Sequence, residues 1–591
     1  MPKIEVNESL FFNLLGRACG PEELERILPS AKAELDGWDL ASGAGAAGGA
    51  GGGAAKPGDA GAVDRSIKIE LNDTNRPDLW STAGLARQLR LAEGGKRPEY
   101  PFFSWEGAPR PASKKVVVEE SVKGVRPYLA GFVVKGKAIT DAVLKDLIQT
   151  QEKLAWNFGR KRRTVSMGLY RSGSIQWPVT YKAVDPKTTR FVPLQETRSM
   201  SLREILAEHP KGKEYAFILE KEPLHPLLVD AKGGVLSYPP IINSADLGAV
   251  QVGDTELFVE LTGTDLPSVV LSASIAACDL SDMGYSVEPV EVDYAYDTAF
   301  GRKLVTPFYF QKPVSVEAAR VARLLGKPFS VQAVADAAVR MGSGVDIHGQ
   351  YVAVRPAEYR NDFLHAVDVV EDVMIGLGMD AFAPERPRDF TIGRLSPIEA
   401  FSRKAKNAMT GLGYQEMIYN YLGSRRDYID KMGLDPEALV RISNPMSENF
   451  EYVRNSPLPS LFNSESVSSQ AAYPHRLFEV GKVAVKDKAE NYGVATRQYI
   501  GVLSCHAAAD FNEIAAQVAT LLYYLGRDFT VADPAHAGGE DPRFIPGRQA
   551  AVLYKGKRAG IYGETHPGLL EAWGIAMPCA AAELDLDAFL A

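Results

Sequence analysis

Cysteine is scarce in this chain, with four in 591 residues: Cys19, Cys278, Cys505 and Cys579. They stand too far apart to form a paired metal motif, and so few exclude a disulfide scaffold, so they read as small buried hydrophobes. Long apolar runs are missing as well, none approaching the ~18 residues that a membrane span needs. The start, Met1 to Glu8, lacks a basic segment followed by an apolar one, so no secretory signal is expected and the cytoplasm is the default compartment. Excess positive charge is also absent. Lys and Arg total 66 against 74 Asp and Glu, a formal charge of -8, so no global field draws nucleic acid and any RNA contact is local or made by a partner. What is left is a soluble composition, 46% hydrophobic and 24% charged, with length for about four domains.

The chain reads as α+β modules in series. Residues 1–114 hold an alternating strand at Ile4 to Val6, helices at Ser9 to Arg17 and Glu22 to Leu28, a strand at Ile67 to Leu71, and a helix from Ala83 to Leu91 capped by Ser81. Within this module 41–62 is an Ala/Gly-rich insertion with almost no side chain to bury, expected to be a flexible surface segment. Residues 115–300 read as a mixed α/β module, with strands at Ala130 to Val134, Tyr215 to Leu219 and Leu257 to Leu261, and helices from Ala142 to Phe158 and Ser268 to Met283. The basic run Arg160 to Arg163 can meet RNA phosphates, but such runs at helix ends are more often solvated and favoured by the helix dipole. Further on, Pro239 and Pro240 forbid helix and hold the backbone extended, presenting Ser237 and Asn243 from a stiff segment. Glu260, Thr262 and Thr264 follow at the end of an apolar strand. Together these residues describe a polar pocket beside a sheet; taken alone they favour an ordinary capped loop.

Residues 301–385 form a smaller module, with helices at Ser315 to Leu325 and Val331 to Met341 and a hairpin from Val345 to Val354 turning at His348-Gly349. It ends in an acidic helix. Phe363, Val367, Val370, Met374 and Leu377 recur at helical spacing and define a buried face. Asp368 lies three and four positions before Glu371 and Asp372, so the three share one side, with Asp362 at the N-terminus as cap or reaching ligand. Close carboxylates repel unless a cation or basic partners answer them, and hard oxygen ligands suit magnesium. A solvated acidic face is the alternative.

Residues 390–591 begin with a helix from Pro397 to Thr410. The stretch Arg441 to Leu461 then combines a strand-like start, a polar turn at Ser443 to Pro445, Arg454, and a Leu-Pro-Ser-Leu helix start, followed by Phe478-Glu479-Val480-Gly481. This order resembles the second signature motif of class II aminoacyl-tRNA synthetases, in which an arginine holds the ATP phosphate. Adenylation is mostly positioning and electrostatics, so a second cation is required. Gly560 and Gly563 occupy the strand where the third motif is expected, but Glu564, Thr565, His566 and Pro567 follow, with no arginine through Leu570. Arg454 therefore reads as a structural ion pair or subunit contact, His566 as a helix cap, and the module as a catalytically degenerate antiparallel sheet with helices.

Four separated signatures carry a wider resemblance: Asn75-Arg76-Pro77-Asp78-Leu79 with Gly84-Leu85-Ala86-Arg87, Pro239-Pro240-Ile241-Ile242-Asn243-Ser244 with Thr262-Gly263-Thr264, the acidic spacing, and the degenerate module. In this order they resemble phenylalanyl-tRNA synthetase beta subunits, of archaeal/eukaryotic type because the chain closes on the synthetase-like module. The resemblance implies an alpha subunit partner in an alpha2-beta2 heterotetramer, tRNA(Phe), ATP as substrate of the complex, and an adenylating site on the alpha chain. It implies Mg2+ at Asp362, Asp368, Glu371 and Asp372. It also implies editing of mischarged tyrosyl-tRNA in residues 115–300, with Ser237, Asn243, Glu260 and Thr262 in the pocket and Leu228 as an apolar wall. Two departures stand out besides the insertion: Gly168-Leu169-Tyr170-Arg171-Ser172 replaces an expected histidine-aspartate string, and Glu260 stands where an aspartate is expected. A non-enzymatic RNA/protein interaction scaffold and a freestanding editing hydrolase are the competing classes.

Overall fold

The computed structural model describes residues 2–40, 65–73, 75–468 and 470–590, so the Ala/Gly-rich insertion lies outside the described residues. The chain divides into two compact units, Met1–Glu385 and Arg386–Ala591.

In the first unit, strands Lys3–Asn7 and Ala33–Leu40 flank Arg65–Leu71 in an antiparallel sheet. Alternation sets its inner face, where Ile4, Val6, Ile67 and Ile69 pack with Leu85 and Leu89 of the helix Thr82–Ala92. Ser81 caps that helix by accepting from the Gly84 amide. Arg76 is buried and donates to both carboxylate oxygens of Asp78 at 2.8 Å, so the Asn75 to Asp78 string is a tied turn.

A ten-stranded sheet follows. Its hydrogen-bonded path runs Ile242–Asn243, Val235–Tyr238, His225–Val229, Val179–Val184, Lys114–Val118, Ser286–Tyr294, Tyr128–Lys135, Glu256–Gly263, Val165–Arg171, with Lys303–Thr306 branching from Ser286–Tyr294. The two ends of this path nevertheless touch. Tyr170 in the last strand meets Ser237 near the first, and Asn243 donates to the Leu169 carbonyl. The sheet therefore curls until its edges meet through side chains rather than a backbone ladder. The helix Leu266–Asp282, buried along most of its length, supplies Val269, Val270, Ala273 and Ile275 to the enclosed core.

Two expectations in this region are corrected. Tyr215 to Leu219 is not a strand: the helix Pro210–Tyr215 runs into a short helical turn at Ala216–Ile218, with Tyr215 buried. The Pro239-Pro240 pair does not hold the chain extended. It lies in a reverse turn with a cis peptide bond, in which the Ile241 amide donates to the Tyr238 carbonyl, so Ser237 and Asn243 end up directly paired across a hairpin.

The smaller module orders its strands Val314–Glu317, Tyr351–Arg355, Gly344–His348. The helix expected from Ser315 starts at Ala318, because Val314–Glu317 is taken up by pairing with Tyr351 to Val354. The acidic helix spans Ala366–Leu377, and its buried face is Val369, Val370, Val373 and Gly376; Val367 is exposed. That rotation, relative to the expected stripe, turns Asp372 inward.

The second unit is a seven-stranded sheet in the order Gln415–Glu416, His475–Lys486, Val494–Cys505, Cys579–Asp585, Lys557–Thr565, Phe544–Tyr554, Thr530–Ala532. It is antiparallel except for the parallel first pair. Strict alternation buries both faces: Ile500, Val502, Ala580 and Ala582 pack on one side with Ile514 and Leu521, and Leu503, Cys505 and Ala581 on the other with Leu461 and Trp573. Cys278, Cys505 and Cys579 are buried and all four cysteines are free.

Gly376 marks the closest helix approach in the smaller module: a Cβ there would sit 2.2 Å from the Ala337 carbonyl oxygen. Alanine has the higher helix propensity by about 1 kcal/mol, but overpacking costs about 1–3 kcal/mol, so Gly376→Ala is expected to destabilise. Hydrogen exchange of the Ala366–Leu377 amides should accelerate; unchanged or slower exchange contradicts the packing.

Candidate active site

Where the two sheet edges meet they leave a cavity of about 190 Å³ lined by Ser237, Asn243, Glu260, Tyr170, Gly168 and the Pro239-Pro240 turn, among others. Ligand pockets for drug-sized molecules run to roughly 300–1,000 Å³, so this one suits a single side chain rather than a nucleotide. Glu260 comes from the strand Glu256–Gly263, which pairs residue for residue with Val165–Arg171 and sets Glu260 opposite Gly168. A Cβ at 168 would fall 2.2 Å from the Tyr170 hydroxyl and 2.6 Å from Glu260 Oε2, so only glycine leaves room for both groups.

Tyr170 Oη lies 2.7 Å from Glu260 Oε2 and 2.8 Å from Ser237 Oγ. The phenol has one proton. Donated to the carboxylate, it leaves the Tyr170 oxygen free to accept from Ser237. Glu260 Oε1 is buried and has no hydrogen-bond partner. Burial pushes the Glu260 carboxyl up to about 7, against the opposing pull of the Tyr170 hydrogen bond and the Arg126 charge.

Of the five side chains expected here, Ser237, Asn243 and Glu260 line the cavity and two do not. Leu228 packs into the main core of the first unit, since its position in His225–Val229 faces inward. Thr262 stands behind the wall, its Oγ1 accepting from Arg126 Nε at 3.0 Å. Sequence reasoning missed Tyr170, Arg162 and Arg126. The odd Gly168-Leu169-Tyr170 string was the available signal for the first.

Arg126 is wholly buried and spends every N–H. Nε reaches Thr262 Oγ1, Nη1 the Arg162 and Arg163 carbonyls at 3.1 and 3.0 Å, and Nη2 Ser166 Oγ at 3.0 Å and the Thr262 carbonyl at 2.5 Å. Burial pulls its guanidinium down to about 10, which still leaves it charged at neutral pH. Arg162 in turn donates to the Pro240 and Ile241 carbonyls at 3.1 and 3.2 Å, pinning the proline turn that closes the cavity.

The acidic helix is arranged differently from the expected magnesium quartet. Buried Arg360 takes both oxygens of Asp362 and both of Asp372, at 2.5 to 3.0 Å. Burial would raise Asp362, but the guanidinium overrides it and holds the carboxyl at about 2. Asp368 Oδ2 accepts from the Leu364 and His365 amides at 2.7 Å as part of a capping box, and Glu371 accepts from Lys32 at 2.8 Å. Asp362, Asp368, Glu371 and Asp372 therefore do not converge, and among the described residues no group of three or more His, Cys, Asp or Glu is gathered for a metal. As arranged, the set does not fit a magnesium ion.

In the second unit Arg454 is fully buried, donating to Glu479 at 2.7 and 2.8 Å and to the Lys482 carbonyl at 2.9 Å. Gly481 is its floor, where a Cβ would lie 2.1 Å from Nη2. The guanidinium has no face left for a phosphate. Glu564, in the place of the missing motif arginine, accepts from Arg548 at 2.6 Å, and His566 caps the helix Pro567–Trp573.

A raised carboxyl makes a definite prediction about pH. An acid whose folded-state value exceeds its unfolded value contributes stability present below about 4.5 and lost as pH rises through about 7. Glu260→Gln removes this loss, so its stability relative to the parent should improve by up to roughly 3 kcal/mol between pH 5 and pH 8. Urea unfolding at both pH values measures it; a pH-independent difference contradicts the buried, proton-sharing carboxyl.

Comparison with known proteins agrees with this architecture. Residues 384–586 match the family described as phenylalanyl tRNA synthetase beta chain CLM domain, and residues 314–379 match the tRNA synthetase B5 domain. The chain is 47% identical to the phenylalanine–tRNA ligase beta subunit of Treponema pallidum subsp. pallidum and 42% identical to that of Borrelia recurrentis, over 100% of both chains in each case. Both relatives are bacterial, so their sources do not carry the archaeal/eukaryotic label. Among solved structures, it is similar to an N-terminal fragment of the phenylalanyl-tRNA synthetase beta-subunit from Pyrococcus horikoshii, at 32% identity and a TM-score of 0.57, covering 64% of this chain and 100% of that one. The chain belongs to the phenylalanine–tRNA ligase beta-subunit family.

Proposed function

We propose that this chain works with an alpha subunit, in an alpha2-beta2 heterotetramer using ATP, Mg2+ and tRNA(Phe), and that its own chemistry is hydrolysis of mischarged tyrosyl-tRNA in the cavity at the sheet seam. The archaeal/eukaryotic type is part of the proposal, supported by the likeness to the Pyrococcus fragment. The sequestered Arg454 and the acid at Glu564 support an adenylating site on the other chain.

One observation carries the hydrolytic reading: Glu260 Oε1 is buried and unpartnered at a cavity the size of one side chain. A tyrosine hydroxyl entering the cavity supplies the missing partner, whereas phenylalanine leaves a buried polar group unpaired. Sites built around a substrate hydroxyl reject the analogue lacking it by factors on the order of 10⁴–10⁵. In the reaction, water adds to the ester carbonyl carbon, the bond from that carbon to the ribose oxygen breaks, and the proton released by water ends on that oxygen. Ser237 is engaged with the Tyr170 phenol rather than with a histidine, so the polar groups position water instead of supplying a nucleophile.

The test is to express the chain alone and with a candidate alpha subunit, then measure phenylalanine-dependent ATP–pyrophosphate exchange and tyrosyl-tRNA hydrolysis. No exchange is expected from the chain alone, exchange with alpha, and hydrolysis that falls on the order of 100-fold or more in Glu260→Ala and Asn243→Ala. Normal hydrolysis by both variants overturns the assignment; a chain that neither restores exchange nor hydrolyses is the scaffold.

A further inference from the structure

The basic run Arg160 to Arg163 is not the solvated helix end that its sequence suggests. The helix Asp141–Lys153 widens into a turn at Leu154–Phe158, and the chain then enters the left-handed region at three successive residues, Arg160, Lys161 and Arg162, with φ of 50°, 56° and 65°. Each such residue costs about 1–3 kcal/mol unless its surroundings over-determine it. Here they do: the Lys161 and Arg162 amides donate to the Trp156 and Ala155 carbonyls at 2.8 and 2.7 Å, and Arg126 clamps the Arg162 and Arg163 carbonyls from below.

The turn splits its cations. Arg162 points to the cavity and pairs with Glu152 at 3.2 Å. Arg160, Lys161 and Arg163 line an adjoining groove with Lys153, Trp156 and Phe217. Among the described residues none of these four cations has a carboxylate ion pair. Lys161 sits over the Trp156 ring at 5.2 Å and Arg163 over the Phe217 ring at 4.9 Å, and both rings are about two-fifths exposed, at 41% and 39%. Lys3 also lines the groove but is answered by Asp36 and Glu70; the acid on the wall, Asp265, is used to cap the helix Leu266–Asp282. In a chain with net charge -8, four unanswered cations interleaved with two open aromatic rings are an unusual local concentration. The combination matches what single-stranded nucleic acid requires: cations tracking phosphates and rings on which bases stack.

We propose that this groove binds single-stranded RNA, and that its occupant is the 3′-terminal segment of the tRNA whose aminoacyl ester enters the neighbouring cavity. The assignment rests on the hydrolytic reading of that cavity. Arg162 then couples the two, because the side chain that pins the proline turn belongs to the same clamped segment that presents the phosphate-binding cations.

The test uses the full chain in complex with alpha, and fluorescence anisotropy with a tRNA(Phe) transcript and with the same transcript lacking its last four nucleotides. One variant combines Arg160→Asn, Lys161→Asn and Arg163→Gln, since asparagine tolerates the left-handed conformation; Trp156→Ala, which leaves the strained backbone in place, is the second. Both should weaken full-length tRNA, the triple variant on the order of tenfold with the salt slope reduced by about 3, while the shortened transcript binds all proteins alike. Tyrosyl-tRNA hydrolysis should show a raised KM with kcat kept. Unchanged affinity and slope in both variants overturns the proposal, as does an equal loss with the shortened transcript, which would place these cations on another part of the tRNA. Glu260→Ala, run alongside, should leave tRNA affinity unchanged; if it deacylates normally, the cavity reading itself has failed whatever the groove variants do.

Discussion

The buried guanidinium of Arg126 is the constraint on which the site depends. A charge placed in the core is tolerated only when every donor finds an acceptor, and the acceptors here come from three different segments: Thr262 on one strand, Ser166 on its neighbour, and the carbonyls of Arg162 and Arg163. Satisfying Arg126 therefore fixes the spacing of the strands carrying Glu260 and Tyr170, and simultaneously holds a backbone turn that would not persist by itself. Tyr181 locks the arrangement by donating to the Arg126 carbonyl at 2.9 Å.

From that anchor the cavity follows. Strand pairing sets Glu260 opposite Gly168, and Tyr170, two residues on, shares its face; the curl of the sheet then brings Ser237 to Tyr170 across the seam. The two departures from the family pattern explain each other at this point. A glutamate reaches further than an aspartate, and glycine at 168 vacates the volume that the longer carboxylate and the Tyr170 phenol occupy. The second unit shows the same economy of buried charge in a different role, with Arg454 closed onto Glu479 and Arg543 onto Asp541 and Glu583. Such pairs are strongly destabilising to break yet add little net stability, which suits a module kept for its shape.

Local patterns were legible in the sequence and long-range ones were not. Alternation located the strands around Ile67 to Leu71 and Leu257 to Leu261, and capping chemistry located the helix after Ser81, because both are set by neighbours a few residues away. Val314 to Glu317 was misread as helix because its strand partner lies some distance downstream, and the acidic helix was given the wrong buried stripe because nothing local announces Arg360 as the partner that lets Asp372 turn inward. Ser237, Asn243 and Glu260 were recognised through resemblance rather than physics. Tyr170 and Arg126 escaped because their roles arise only when strands separated by 67 and 136 positions meet.

The central claim is that Glu260 Oε1 awaits the hydroxyl of a tyrosine attached to the tRNA terminus. A crystal structure of the complex with an amide-linked, non-hydrolysable tyrosyl-adenosine tests it most directly. The account predicts the phenol oxygen within hydrogen-bonding distance of Glu260 Oε1, with the adenosine leading out of the cavity toward Trp156. Binding elsewhere, or in this cavity with the phenol turned away from Glu260, contradicts it.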